Sequence, residues 1–165
     1  MRRKAKGFTF IEVLVVVGVL GILMLASYPS VQQTLDKRSL ESAARDILTT
    51  LQGAKFQSVN KKIQHRVRFI NSGGGWSFQV EQEVTAGTWS MLSNYVPKTI
   101  PTKFTVTVNL PDLTTVAYSP TGYVSNYNNT QHTISLVYPK LVALGEPGQR
   151  LITIYLGGSI EYSKL

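Results

Sequence analysis

Hydrophobic positions change their spacing twice along this 165-residue chain. From Phe8 to Ala26 (FTFIEVLVVVGVLGILMLA) they are almost continuous over 19 residues. At a helical rise of ~1.5 Å per residue, that block reaches once across the ~30 Å hydrocarbon core of a bilayer. Between residues 28 and 60 the apolar positions Leu40, Ala44, Ile47, Leu48, Leu51, Ala54 and Val59 recur at threes and fours, with Lys37, Arg38, Glu41, Arg45 and Asp46 mostly on the other side. That stripe predicts an amphipathic helix packed on a sheet. Tyr28-Pro29 is where a kink is expected, because proline removes a helical hydrogen bond. Gly53 weakens the helix by about 1 kcal/mol without ending it. From Gln64 onward the period falls to two. Strands are predicted at Gln64–Ile70, Trp76–Val84, Thr88–Leu92, Phe104–Leu110, Thr114–Tyr118, Thr133–Tyr138, Leu151–Leu156 and Ile160–Tyr162. Gly73–Gly75 should turn a hairpin. Leu156-Gly157-Gly158-Ser159-Ile160 reads as a tight two-residue hairpin with both glycines at positive φ.

Charge alters the reading of the N-terminus. The chain carries 17 lysines and arginines against 9 acids, a net +8. Four of those cations, Arg2, Arg3, Lys4 and Lys6, crowd the first seven residues (MRRKAKG); without them the balance is 13 to 9, or +4. A basic cluster before an apolar span stays cytoplasmic and sends the rest of the chain outward. A cleaved secretory signal is disfavoured: Leu25-Ala26-Ser27 offers a large leucine where a small residue is wanted, and no A-x-A follows. The absence of cysteine excludes disulfides, thiolate metal sites, cysteine nucleophiles and lipoprotein anchoring.

Glu12 is the residue out of place. A carboxylate in a lone spanning helix costs roughly 3 kcal/mol on insertion scales and needs a partner. The apolar block holds no cation, but cleavage after Gly7 would expose the amine of Phe8 about one turn away. Glu12 could pair with that amine in its own chain or, in a bundle of such helices, with a neighbour's, neutralising both charges and setting the axial register.

The stretch Gly7-Phe8-Thr9-Phe10-Ile11-Glu12 resembles the prepilin peptidase motif of type IV pilins and type II secretion pseudopilins, with Phe10 where leucine is commoner. The resemblance implies cleavage by prepilin peptidase after Gly7, N-methylation of Phe8 and an assembly role for Glu12. A second similarity covers the head. Leu40-Glu41-Ser42-Ala43-Ala44-Arg45, Tyr118-Ser119-Pro120-Thr121-Gly122-Tyr123, Thr133-Ile134-Ser135-Leu136 and the closing hairpin resemble the domain shared by the minor pseudopilin H of type II secretion and FimT-type minor pilins. The expected fold is therefore α+β: a long N-terminal helix, half membrane and half amphipathic, packed on an antiparallel β-sheet head. The expected parts are a leader at 1–7, a transmembrane and assembly helix at 8–30 and a periplasmic or extracellular head at 31–165. The implied partners are prepilin peptidase, other pilins or pseudopilins in a filament, an inner-membrane assembly platform, and membrane lipid before assembly.

Catalytic patterns do not stand out. His65 and His132 lack companions at metal-ligand spacing and are expected at the surface or a strand edge. No nucleophile elbow, carboxylate pair or clustered calcium ligands is evident. No cofactor is expected, and the reading is of a structural subunit, not an enzyme. The basic run from Lys61 to Arg68 (KKIQHRVR) is the one patch suggesting a ligand. In a strand, Arg66 and Arg68 share one face while His65 and Val67 take the other. With Lys61 and Lys62 they suggest phosphate contact with DNA, a use that FimT-type pilins permit; a solvated sheet face is the plainer alternative.

Overall fold

The structure, a computed structural model, describes residues 9–93 and 95–165, and side chains there except at 25–27, 29 and 113. One helix, α1 (Phe10–Lys61), occupies the first part of the chain. It is helical on both sides of Pro29. It ends at Lys62, whose φ of 57° is the left-handed turn that stops helices, here without the usual glycine. The chain divides into two compact units, one up to Asp36 and one from Lys37 to Leu165.

In the second unit the predicted stripe becomes the helix side of the core. Leu40, Ala43, Ala44, Ile47, Leu51 and Ala54 are buried. Leu48 is only half-buried and Val59 lies at the exposed edge, so the buried arc is narrower than the spacing suggested. Gly53 has a packing reason: a Cβ there would run into the Tyr95 hydroxyl. Thr50 and Ser58 are also buried, and their hydroxyls bond back to the carbonyls of Asp46 and Ala54 at 2.7 and 3.0 Å, which satisfies them in apolar surroundings.

The head holds two antiparallel sheets, where the sequence predicts one. The first orders its strands β3 (Thr88–Met91), β2 (Trp76–Thr85), β1 (His65–Asn71), β6 (Thr115–Tyr118), with β4 (Lys98–Ile100) also paired to β2. The second runs β5 (Thr105–Asn109), β7 (Thr133–Val137), β8 (Gln149–Ile154), β9 (Ile160–Lys164). Alternation sends Val67 and Phe69 of β1, Phe78 and Val80 of β2, Ile134 and Leu136 of β7, and Ile152 and Ile154 of β8 into one shared core with α1. Each such side chain contributes about 1.5–3 kcal/mol on burial. Phe69 and Phe78, opposite one another across β1 and β2, stack at 5.6 Å.

Two single-turn helices, α2 (Pro111–Thr114) and α3 (Pro139–Ala143), break up predicted strand ends; both open on proline, whose fixed φ suits the first helical position. The β1–β2 hairpin turns through Gly73 and Gly74 at φ 65° and 131°. The β8–β9 turn differs from the expected two-residue form. Tyr155 accepts from Gly158 N–H at 2.8 Å and donates its own N–H to Ser159 at 3.0 Å. Only Gly158 has positive φ, 70°. This is the longer hairpin loop, in which one left-handed residue follows an ordinary turn.

Candidate functional site

The helix start is built by local hydrogen bonding. Thr9 stands just before α1 and Glu12 is its third residue. The Thr9 N–H and hydroxyl both donate to Glu12 Oε2, at 3.0 and 3.1 Å, and the Glu12 N–H donates to Thr9 Oγ1 at 3.3 Å. These reciprocal bonds form a capping box, satisfying two N–H groups that a helix start leaves orphaned. Thr-x-x-Glu before an apolar run is a sequence signal for it. It gives Glu12 a partner within its own chain that is not an amine. Gly7 and Phe8, the expected cleavage and methylation positions, lie outside the described residues.

Beyond Glu12 every residue from Val13 to Met24 is exposed, on all sides of the helix. An all-round apolar helix belongs in lipid or inside a bundle. Among the described residues, no helix is long and apolar enough to cross a membrane. The 19-residue block inferred from the sequence starts outside those residues and ends on side chains that are not described.

The basic run is dispersed by the fold. Lys61 and Lys62 are exposed at the end of α1. Arg66 and Arg68 share the outer face of β1 as predicted, but Glu81 on β2 takes both: Arg66 Nε lies 2.6 Å and Arg68 Nη1 3.8 Å from its carboxylate. Trp89 stacks on the Arg66 guanidinium at 4.3 Å. His65 is a correction. It is fully buried, because it shares the core-facing side of β1 with Val67. Its Nδ1 lies 2.9 Å from the Ile63 carbonyl, fixing that nitrogen as the donor. Burial pushes its pKa down, against the Ile63 hydrogen bond, which raises it. His132 Nδ1 is likewise buried, with its ring 5.8 Å from Tyr127. Among the described residues no cluster of three metal-ligating side chains occurs.

The densest polar cluster, which sequence spacing did not reveal, centres on Glu41. Its Oε2 accepts from Tyr162 Oη at 2.6 Å, Arg150 Nε at 3.2 Å and Lys164 Nζ at 3.3 Å; its Oε1 accepts from Arg45 Nε at 3.0 Å. Burial alone would raise the carboxyl's pKa, but the four donors outweigh it and hold it at about 2. Burial, and then the neighbouring carboxylate, push the Tyr162 phenol up to about 12. The cluster ties α1 to β8 and β9 at the side of a shallow cleft of about 700 Å³.

Residues 2–28 match the prokaryotic N-terminal methylation motif, and the head carries an N-terminal helix packed on antiparallel sheet. Motif and architecture are both similar to those of type IV pilin-like proteins. The likeness in fold is to the type IV minor pilin FimU of Pseudomonas aeruginosa (strain PAO1), with a TM-score of 0.53 and 14% identity, covering 74% of this chain and 91% of that one. A search of curated proteins finds no match.

Proposed function

We propose that this chain is a minor structural subunit of a type II secretion pseudopilus or a type IV pilus. It is inserted with residues 1–7 in the cytoplasm and the head in the periplasm, anchored by the apolar part of α1. Prepilin peptidase cuts after Gly7, Phe8 is N-methylated, and an inner-membrane assembly platform moves the subunit into a filament of related subunits. The observation that carries this reading is the fully exposed apolar helix opened by a single carboxylate. Such a helix leaves lipid at little cost only if it exchanges lipid contacts for contacts with neighbouring helices. Glu12 then sets the register. Before processing it is held by Thr9; afterwards the charged amine of Phe8, its own or a neighbour's, competes for it with a full charge where Thr9 offers only dipoles.

The test is Glu12→Ala in cells that possess the peptidase and the filament machinery. The variant should still be cut after Gly7, as read by mass spectrometry of the extracted protein, yet be missing from sheared filaments. Normal incorporation would refute the pairing role. A wild-type chain still beginning at Met1 in such cells would refute the subunit reading itself. DNA contact through Lys61, Lys62, Arg66 and Arg68 is the weaker alternative, since Glu81 already neutralises one charge among the two arginines. A salt-dependent mobility shift of the full chain would favour it.

A further inference from the structure

The cleft beside Glu41 has more positive charge than its own chain can use. Five cations and two carboxylates line it. Several are committed internally. Arg150, 5% exposed, donates to Glu41 and to the Pro147 and Gln149 carbonyls, and Asp46 holds Lys98 at 2.6 Å. What faces outward is the pair Arg38 and Arg45, two turns apart on one face of α1 with Ser42 between them, all three exposed. Arg45 contacts Glu41 through Nε while its side chain stays 66% exposed, leaving the outer edge of its guanidinium turned toward solvent.

We propose that this cleft docks an acidic segment of a different filament subunit, with Arg38 and Arg45 gripping its carboxylates. The inference rests on the filament reading above and adds the partner's chemistry. Guanidinium groups match carboxylates in a fork geometry, which gives register as well as attraction. The cleft's own carboxylates, Glu41 and Asp46, interrupt the positive lining. That mixture of signs suits a protein surface of complementary pattern, and it repels the unbroken charge of a phosphate backbone or an anionic lipid sheet. A second copy of this chain is a poor occupant. Without the leader the chain is net +4, and Glu41, Asp46, Glu81 and Glu146 are already in ion pairs within the head. The favoured neighbour is thus a more acidic subunit, as a minor component placed among other subunits requires.

The experiment uses the full chain in zwitterionic detergent and a fluorescein-labelled peptide of three Glu-Ser-Ser repeats, whose carboxylates are spaced by neutral residues, read by fluorescence anisotropy at low salt. Binding is expected, weakening about fivefold to tenfold in the Arg38→Gln/Arg45→Gln double variant, the scale of two exposed charge-assisted contacts. The control Lys103→Gln/Lys140→Gln removes two exposed cations elsewhere and should bind like wild type. Circular dichroism checks that both variants stay folded. Equal binding by all three chains, or none by the wild type, overturns the proposal. So does displacement of the peptide by phosphatidylglycerol in the micelle or by a short DNA duplex, which would assign the cleft to lipid or to nucleic acid. Because the readout is binding by the purified chain, its failure leaves the filament reading intact. Conversely, normal incorporation of Glu12→Ala would leave a positive binding result standing.

Discussion

Replacing Glu41 by glutamine removes one negative charge and one acceptor from a site where four donors converge. The carboxyl's fall from its ordinary 4.5 to about 2, at about 1.4 kcal/mol per pH decade, sets an upper bound of roughly 3.5 kcal/mol. The side chain keeps 20% of its exposure, so solvent screening lowers the figure to about 2 kcal/mol. A similar value follows from the other side of the pair. Breaking a buried ion pair costs about 3–5 kcal/mol, and Arg150 keeps two carbonyl partners that offset part of it. The pH dependence has a definite sign. A carboxyl whose pKa is depressed by folding contributes fully above its unfolded value and loses that contribution as pH falls through the folded one. The gap between wild type and Glu41→Gln should therefore be about 2 kcal/mol at neutral pH and close gradually between pH ~4.5 and ~2, where the protonated acid resembles the amide. Urea unfolding of the full chain in detergent, followed by the fluorescence of Trp76 and Trp89, measures it. A gap that is the same at both ends of that range, or absent at neutral pH, would show that Glu41 is merely a surface residue among mobile cations.

Two other substitutions test the packing. Gly158→Ala forces a Cβ against the Gly122 carbonyl and the Lys55 side chain at a φ of 70°, whereas the neighbouring Gly157 has open space. The first change should cost roughly 3 kcal/mol and the second under about 1, read as the difference in melting temperature; equal effects would sink the steric argument. The Tyr118 hydroxyl is buried and has no hydrogen-bond partner among the described residues. Tyr118→Phe should be neutral or stabilising by up to about 1 kcal/mol, and a clear loss in urea midpoint would mean that the hydroxyl is satisfied after all.

The elements that could be read in the sequence were those whose period repeats. Alternation placed all the longer strands within a residue or two at most ends, because one buried face fixes their side-chain parity. The three-residue β4, between Pro97 and Pro101, offers too few positions for a period to show. Tyr138 reads as a strand residue by type but caps α3, since the following proline turns the chain. For His65, residue type predicts the surface while the strand position predicts the core, and position wins. The alternation that set it opposite Arg66 already implied burial beside Val67. The Thr9–Glu12 capping box is legible as a Thr-x-x-Glu motif before an apolar run. Glu41 was not legible: its partners Arg150 and Tyr162 lie 109 and 121 residues away, and no local pattern encodes such a meeting.

Those separations also impose an order of events on the nascent polypeptide. At roughly 5–20 residues per second of translation, Glu41 is made about 6–24 seconds before Tyr162 exists to meet it. For the first part of that interval Leu40, Ile47 and Leu51 lack the strands that later cover them, and the core they share with β7 and β8 closes only near its end. This stretch must therefore be shielded, by a chaperone or by another apolar surface, or be lost to aggregation before the latch can close.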